Sequence, residues 1–178
     1  QREDIPPSVP IIRESPSEEA VPARLYNTAT SGIVYFAAAA GTGLLPAELT
    51  PLAPFFCYAL SRMGTAKRDY AEMAQRIDAY TGGVGFSTHA RTRFNDAGDC
   101  VPFISFNGKC LLRNQEPMFD IIRELLHHAD FSNLTRLKSI LLEYRAGLES
   151  MVIHSGHRLA ISLAARNLSA TRMLSETW

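Results

Sequence analysis

The side chains in this 178-residue sequence that most readily bind a transition metal are five histidines and three cysteines. His127 and His128 are adjacent, so on a helix they would point about 100° apart, as is typical of surface positions. His154 and His157 are three residues apart, but Gly156 between them favours a turn over one continuous helical face. No carboxylate is suitably spaced to complete either set. Neither pair is therefore predicted to hold a metal.

A serine with a neighbouring base is the second arrangement that could do chemistry. Ser87 and His89 are two residues apart on a predicted strand, and they would share one face of it. No G-x-S-x-G motif surrounds the serine, however. The glycine-rich residues 82–85 follow a predicted helix, whereas a phosphate-binding loop runs from strand to helix. A hydrolase that uses His89, His154 or His157 is kept as one hypothesis, which substitution of those histidines would test.

The first element that must position such side chains is a buried helix predicted over 49–65, LTPLAPFFCYALSRMGT. Pro51 and Pro54 lie near its first turn, where a missing amide donor costs least, and Gly64 closes it. A second helix is predicted over 68–80, because apolar residues recur there at three- and four-residue spacings.

The remaining segments predict an α+β fold. Four of them have the alternation or the length of strands, namely 24–30, 33–40, 84–93 and 101–112. Three have the apolar period of helices, namely 116–129, 132–148 and 157–168. The first two strands should form a hairpin and the last two an antiparallel pair, with helices packed on one face of the sheet. Since Trp178 ends a polar segment, we expect the fold to lack a final strand.

Composition limits the class of protein. With 46% hydrophobic and 20% charged residues, the chain is long enough for one globular domain. Eighteen basic and eighteen acidic side chains give no net charge, which argues against nucleic acid as a partner. No apolar run approaches the roughly 18 to 20 residues of a membrane helix, so no membrane partner is expected.

Three cysteines, without close paired spacing, do not form a disulfide framework or a zinc ribbon. Cys57, Cys100 and Cys110 are predicted to be buried thiols in a reducing compartment. A disulfide between Cys100 and Cys110 is the alternative.

Six segments of the sequence, in the same order, resemble one known protein family. They are DIPPSVP at 4–10, SGIVYF at 31–36, LTPLAPFFCYALSRMGTAKRDYAEMAQRI at 49–77, TGG at 81–83, SFNGKCLLRN at 105–114 and LTRLKSILLEYRAGLESMVIHSGHRLA at 134–160. Together they are similar to the third domain of the presequence-protease branch of the pitrilysin/insulinase-type zinc metallopeptidases. The similarity covers nearly the whole chain after its first residues.

This resemblance implies a domain of the pitrilysin and mitochondrial-processing-peptidase type. Such peptidases have four homologous α+β domains, two in each half, that close into a chamber around unfolded peptides. Their first domain carries an inverted zinc motif, H-x-x-E-H, whose histidines bind zinc and whose glutamate activates water, and a distant glutamate completes the coordination.

The resemblance also implies that the zinc motif is lost here. When the chain is aligned on Met63-Gly64-Thr65, its motif positions fall at 55–59, and Glu143 lies near the distant glutamate. The three functional motif positions are occupied by Phe55, Tyr58 and Ala59. We therefore expect these four to be vestigial positions, with no catalytic or metal-binding residue in the chain, and the former site to have become part of the core.

The resulting hypothesis is a proline-rich linker at 1–22 and an inactive peptidase-like domain at 23–178. This domain would form part of the chamber of a larger zinc-dependent oligopeptidase; the alternative is a stand-alone binding or scaffold subunit of the same fold. No cofactor is expected in the chain, with zinc in the N-terminal half of the parent enzyme. The expected partners are the other domains of that peptidase and an unfolded peptide, which an exposed sheet edge could help to hold.

The opening residues resemble neither a secretory signal nor a transit peptide, and they look like a linker entering a larger protein. The low charge and the expected reduced cysteines indicate a cytosol or a mitochondrial matrix, and of these two we predict a bacterial cytoplasm.

Overall fold

A computed structural model describes residues 11–12, 21–93 and 96–178 of the chain. The chain divides into two compact units, Gln1–Ile33 and Val34–Trp178. No helix in the part that the structure describes is long and apolar enough to cross a membrane.

The first unit contains two short antiparallel strands. β1 (Ile11–Ile12) pairs with β2 (Leu25–Tyr26), with Ile11 opposite Tyr26. A turn follows, in which Ser31 and Gly32 both have positive φ and Ile33 N donates to Thr30 O at 3.1 Å. The predicted linker at 1–22 falls largely outside the described residues.

A three-stranded sheet forms the centre of the second unit. Its strands are β3 (Ile33–Gly41), β5 (Val84–Arg93) and β6 (Asp96–Leu111), in the order β3-β6-β5. The pair β5 and β6 is antiparallel, as predicted, with a register irregularity between Thr92 and Arg93. The hairpin predicted from 24–30 and 33–40 is wrong, because β2 pairs with β1 and β3 pairs with β6.

A second, two-stranded sheet is formed by β4 (Gly64–Thr65) and β7 (Ala129–Asp130). This sheet joins the residues after the helix Ala53–Leu60 to the residues after the helix Gln115–His128. Gly64 lies against backbone here, since a Cβ on it would meet Arg68 O at 2.7 Å. This close approach explains a glycine at the position where the sequence predicted the helix to end.

Five α-helices complete the described part of the unit. They are α1 (Ala53–Leu60), α2 (Tyr70–Tyr80), α3 (Gln115–His128), α4 (Leu134–Ala165) and α5 (Ala170–Thr177). Short 3₁₀ turns lie at Thr50–Leu52, Leu112–Asn114 and Arg166–Leu168.

The two helices predicted over 132–148 and 157–168 are both present, and they meet at a kink within α4. α4 runs through 149–156, and within it only Ser155 departs from helical geometry, with φ −134° and ψ 27°. The kink falls at Ser155 and Gly156, a residue pair at which sharp helix kinks commonly occur. α5 was not predicted; Ser169 caps it by accepting from Arg172 N at 3.2 Å.

The core lies between the helices and one face of the sheet. Phe86, Ile104 and Phe106 of β5 and β6 pack with residues of α1, α2 and α3, among them Cys57, Met73 and Ile121. A smaller cluster joins α1 to α4 through Ala59, Met63 and Ile140. The prediction of an α+β fold is confirmed.

Glu124 of α3 is buried, and its carboxylate binds groups in the turn between α1 and α2. Thr65 Oγ1 donates to Glu124 Oε1 at 2.7 Å, and the Arg68 guanidinium forms an ion pair with Oε2. Burial alone would raise the pKa of Glu124, but the hydrogen bonds from Thr65 and Arg68 and the nearby positive charges lower it below its usual value. A charged carboxylate therefore ties α3 to this turn.

This ion pair predicts a pH-dependent stability. Because the folded pKa of Glu124 is lowered, its contribution is complete above the pKa of an unfolded glutamate, about 4.3, and is lost as the pH falls through the folded pKa. We expect Glu124→Gln to lower the free energy of unfolding by about 1 to 3 kcal/mol at neutral pH. The difference in the free energy of unfolding between the variant and the unaltered chain should shrink below about pH 4. Urea unfolding of both chains at the two pH values measures it.

Glu48→Gln is the matched control, because Glu48 is exposed. This variant should stay within about 0.5 kcal/mol of the unaltered chain at both pH values. A deficit of Glu124→Gln that does not change with pH would contradict the ion pair.

Candidate functional site

The four predicted zinc-motif positions lie on two neighbouring helices. Phe55, Tyr58 and Ala59 belong to α1, and Glu143 belongs to α4. The structure brings two of these side chains into direct contact, since Tyr58 Oη donates a hydrogen bond to Glu143 Oε1 at 2.7 Å. Residues 85 positions apart in the sequence therefore meet at this point.

Ala59 sets the distance between the two helices. Its side chain is 0% exposed, and it packs with Met63 and with Ile140 of α4. Ile140, Glu143 and Tyr144 lie on one face of α4, because they are separated by three and four residues. The same packing that buries Ile140 therefore directs Glu143 toward Tyr58.

An aromatic group surrounds this contact. The Tyr144 ring lies 5.5 Å from the Phe55 ring and 4.9 Å from the Tyr58 ring, between centroids. Phe55 and Tyr58 are only half-buried, whereas Ala59 is fully buried. The expectation that the former site has become core therefore holds for Ala59 alone, and the two aromatic rings lie at its rim.

Arg62 covers the other side of Tyr58. Its guanidinium lies 3.8 Å from the centroid of the Tyr58 ring, and its Nη1 donates to Tyr58 O at 2.8 Å. The Arg62 carbonyl in turn accepts from Arg136 of α4 at 3.2 Å. These bonds fix the end of α1 against α4 and hold a positive charge beside the phenol.

Tyr58 has a raised pKa. The largest cause is its hydrogen bond to Glu143, which would place a phenolate next to a carboxylate, and burial adds to it. The positive charge of Arg62 acts in the opposite direction. Tyr58 is therefore a neutral hydrogen-bond donor at physiological pH.

The donor set at these four positions does not fit a zinc ion. Phe55 and Ala59 offer no ligand atom, the Tyr58 hydroxyl is a donor to Glu143, and one carboxylate remains where protein zinc sites have three or four ligands. Among the described residues, no group of three or more histidine, cysteine, aspartate or glutamate side chains converges.

A cleft of about 450 Å³ opens beside this group, between α1 and β5. Tyr58, Ser61 and Arg62 line its helical side, Tyr144 lines one end, and residues 84–88 of β5 form the opposite wall. No sequence pattern indicated this cleft, because its walls come from segments that are far apart in the chain.

The histidine of the predicted Ser87–His89 pair contacts a different serine. His89 Nε2 lies 3.0 Å from Ser105 Oγ, and Ser105 rather than Ser87 is its partner. Ser105 also accepts from Asn107 Nδ2 at 3.2 Å, and the His89 ring stacks on Phe103. The strand register could have revealed this neighbour, but register was not predictable from either strand alone.

The other histidines and glycines lie as follows. His127 and His128 are exposed at the end of α3, and His154 and His157 are exposed on either side of the Ser155 kink in α4. The glycine-rich residues 82–85 connect α2 to β5, so they run from helix to strand as predicted.

All three cysteines are free thiols. Cys57 and Cys110 are buried as predicted, and burial raises the pKa of Cys57 to about 11. Cys100 is half-buried. Cys100 and Cys110 lie on the same strand, ten residues apart, which separates them by roughly 33 Å. The alternative of a disulfide between them is therefore wrong.

Residues 1–178 match the sequence model of the family described as peptidase M-16C associated. The chain belongs to this family. The match is to a region associated with the peptidase, which supports a non-catalytic part of such an enzyme. The predicted resemblance to a presequence-protease-like family is confirmed.

Several curated relatives match this peptidase-associated chain over most of its length. A mitochondrial presequence protease of Danio rerio is 31% identical over 98% of the chain, and that of Yarrowia lipolytica is 28% identical over 97%. The chloroplastic/mitochondrial presequence protease 1 of Arabidopsis thaliana is 29% identical over 83%. The chain covers 17%, 18% and 14% of these relatives, respectively, and so spans about one sixth of their length.

The predicted location in a bacterial cytoplasm was wrong. The presequence proteases among the relatives are named as mitochondrial or as chloroplastic/mitochondrial proteins, and these names contradict it. The prediction rested on low charge and on reduced cysteines, and neither property distinguishes the two compartments.

The contact between Tyr58 and Glu143 predicts a change in a phenol titration. Glu143→Gln removes the neighbouring carboxylate, so the pKa of Tyr58 should fall toward that of an ordinary tyrosine. NMR titration of ¹³C-labelled tyrosine measures this pKa, and Tyr58→Phe assigns the signal.

The control is Glu149→Gln, which removes a carboxylate that pairs with Arg145 on the same helix. It should leave the Tyr58 titration unchanged. An equal response to both substitutions would show that Glu143 does not contact the phenol in solution.

Proposed function

We propose that this chain is a non-catalytic domain of a larger zinc-dependent peptidase and forms part of the wall of a closed chamber around unfolded peptides. The observation that carries the proposal is the family match over all 178 residues, by a chain that spans about one sixth of presequence proteases. The parent enzyme would act on presequences in a mitochondrion or chloroplast, as the names of the relatives suggest.

The donor set of the vestigial positions supports the non-catalytic part of this proposal. Activation of water by zinc needs a metal with an open coordination position, held by about three protein ligands. Phe55, Tyr58 and Ala59 supply no such set with Glu143, so the zinc of the parent enzyme would be held in its N-terminal half.

An apolar ridge on α4 supports contact with other domains. Leu141, Leu148 and Val152 follow one another at intervals of seven and four residues before the kink, and Leu159 and Leu163 are four residues apart after it. Each of these side chains is more than one third exposed. Contiguous exposed apolar surface of this kind marks a protein interface, so we propose that the rest of the peptidase covers the ridge.

Zinc content tests the non-catalytic assignment. We expect the purified chain, supplied with zinc, to hold less than about a tenth of an equivalent, because no three ligands converge in the part of the chain that the structure describes. It should not cleave a quenched unstructured peptide. Elemental analysis and the fluorescence of the peptide measure the two outcomes.

Stoichiometric zinc together with chelator-sensitive cleavage would overturn the assignment. In that case Glu143, His154 and His157 would be the first residues to substitute. The alternative is a stand-alone binding subunit. A reading frame that ends soon after Trp178 would favour this alternative, whereas a longer frame with an H-x-x-E-H motif upstream would favour the peptidase domain.

Substitution of the ridge tests the proposed contact with other domains. In the full-length peptidase, Val152→Lys should lower the melting temperature and reduce peptide cleavage, because a buried lysine charge would replace apolar contact. In the isolated chain the same change should reduce self-association, which sedimentation velocity measures.

Ser150→Lys is the matched control, since it adds the same charge to an exposed position on the same helix, away from the ridge. The proposal requires a clear difference between these two variants in the full-length enzyme. Equal behaviour would mean that the ridge faces solvent there.

A further inference from the structure

A second depression, of about 530 Å³, lies on the sheet where β5 begins. The described residues that line it come from β3, from β6 and from residues 82–85, and none of them belongs to a helix. This volume is within the range of about 300 to 1,000 Å³ that is typical of small-ligand sites. A contact between folded domains covers a much larger surface, about 800 Å² on each partner. The depression therefore suits an occupant the size of a side chain.

The depression opens on the face of the sheet opposite the helices, as the alternation of β6 shows. A Cβ on Gly108 would meet Met118 Sδ of α3 at 3.0 Å, so residue 108 faces the helices. Successive side chains of a strand point to opposite faces. Asn107 and Lys109, which also line the depression, therefore point away from the helices.

The other two strands each place a lining residue on this same face. Phe36 of β3 packs on Phe119 of α3, with 5.0 Å between the ring centroids, so Tyr35 points away from the helices. Phe86 of β5 lies in the core, so Gly85 also belongs to the opposite face. This depression is thus separate from the cleft between α1 and β5.

Gly85 gives the depression a floor of main chain. A Cβ on Gly85 would have no heavy atom within 4 Å, and the φ of this residue is not positive. Neither close packing nor backbone geometry therefore accounts for a glycine here, although glycine weakens a strand. A glycine within a strand also marks places where another group approaches the main chain closely. The floor is open to such a group.

Two side chains of different chemistry border this floor. The Tyr35 ring is 66% exposed, so one of its faces is free for contact. The Lys109 stem lies across Gly82, because a Cβ there would meet Lys109 Cε at 2.9 Å, and this contact keeps the ammonium beside the depression. An aromatic ring on the floor would pack on Tyr35 and attract the Lys109 cation through its π system. An aliphatic side chain has no π system for either interaction.

We infer that this depression binds an aromatic side chain of an unfolded peptide. The ring lies on the main chain at Gly85, between Tyr35 and Lys109. The site selects a side chain and needs no pairing of main chains. The inference rests on the proposed function, in which the parent enzyme encloses unfolded peptides, and it names the class of side chain that this part of the wall takes up.

The test compares three five-residue peptides that differ only at the central residue. The peptides are blocked at both ends, and serine and glycine surround a central phenylalanine, cyclohexylalanine or leucine. Cyclohexylalanine has nearly the shape of phenylalanine and is more apolar, but its ring has no π system. The phenylalanine peptide should bind the full chain at least about three-fold more tightly than the other two. Binding by apolar burial alone would favour cyclohexylalanine over phenylalanine.

NMR titration of the ¹⁵N-labelled chain measures each Kd and also locates the ring. A phenylalanine ring stacked on the main chain should move the proton signals of Gly85 upfield through its ring current. The cyclohexyl ring should produce no such shift. This signature distinguishes contact at the floor from binding elsewhere on the chain.

A substitution in the floor provides the second arm. Gly85→Val fills the depression, and it should keep the fold because the added Cβ meets no atom and valine favours strands. This variant should weaken binding of the phenylalanine peptide at least about ten-fold without lowering the melting temperature. Ser87→Val is the matched control, since it adds a similar side chain to the same face of β5 outside the depression. It should bind within about two-fold of the unaltered chain.

A substitution at the border tests the cation. Lys109→Met keeps most of the stem across Gly82 and removes the charge. The preference for phenylalanine over cyclohexylalanine should therefore fall at least about two-fold, whereas binding of the cyclohexylalanine peptide should change by less than about two-fold. If Gly85→Val does not fold, this variant and the peptide series decide.

Four results would overturn the inference. They are no binding of the phenylalanine peptide, cyclohexylalanine binding as tightly as phenylalanine, equal loss with Gly85→Val and Ser87→Val, and a Gly85→Val variant that lowers the melting temperature of the full-length peptidase but not of the chain. The last result would make another domain the occupant. None of the four would affect the proposed function, which stoichiometric zinc in the chain would overturn whatever happens at Gly85.

Discussion

The close contact between α1 and α4 at Ala59 governs the geometry of this domain. α1 has only eight residues, yet it packs on two sides, with Cys57 and Leu60 against the sheet and Ala59 against Ile140. A methyl group at this position lets the two helices approach closely. A larger side chain would overpack the contact, at a cost of typically about 1 to 3 kcal/mol. The hydrogen bond between Tyr58 and Glu143 exists because this approach is close.

The predicted zinc-motif positions on α1 lie in two different environments. Ala59 belongs to the core, where an unpaired polar side chain would cost about 1 to 3 kcal/mol and an alanine costs nothing. Phe55 and Tyr58 stay half-buried at the rim of a cleft, and Tyr58 satisfies its hydroxyl through Glu143. The helix contact is thus apolar at Ala59, and a polar and aromatic opening lies beside it, next to β5.

A buried charge connects two elements of this domain. Glu124 is the one carboxylate that the structure describes as buried, and it binds Thr65 and Arg68 in the turn that follows α1. The same turn pairs with β7 through β4, so α1, α3 and the start of α4 are joined within a few residues. Burial of the carboxylate is favourable only because donors meet both of its oxygens. The position of α1 therefore depends on a polar contact as well as on the apolar core.

Local patterns in the sequence were enough to predict most elements and the family. The apolar periods predicted α2, α3 and β5 close to their observed bounds, because each period follows from which face of the element is buried. They also predicted β6, which begins five residues earlier than expected. The hypothesis that Phe55, Tyr58 and Ala59 occupy former motif positions also came from the sequence alone. It took the folded chain to show that β3 pairs with β6, that His89 meets Ser105, and that a cleft lies between α1 and β5. Each of these depends on contacts between segments distant in the chain, and such contacts are set by packing and register, which no local pattern encodes.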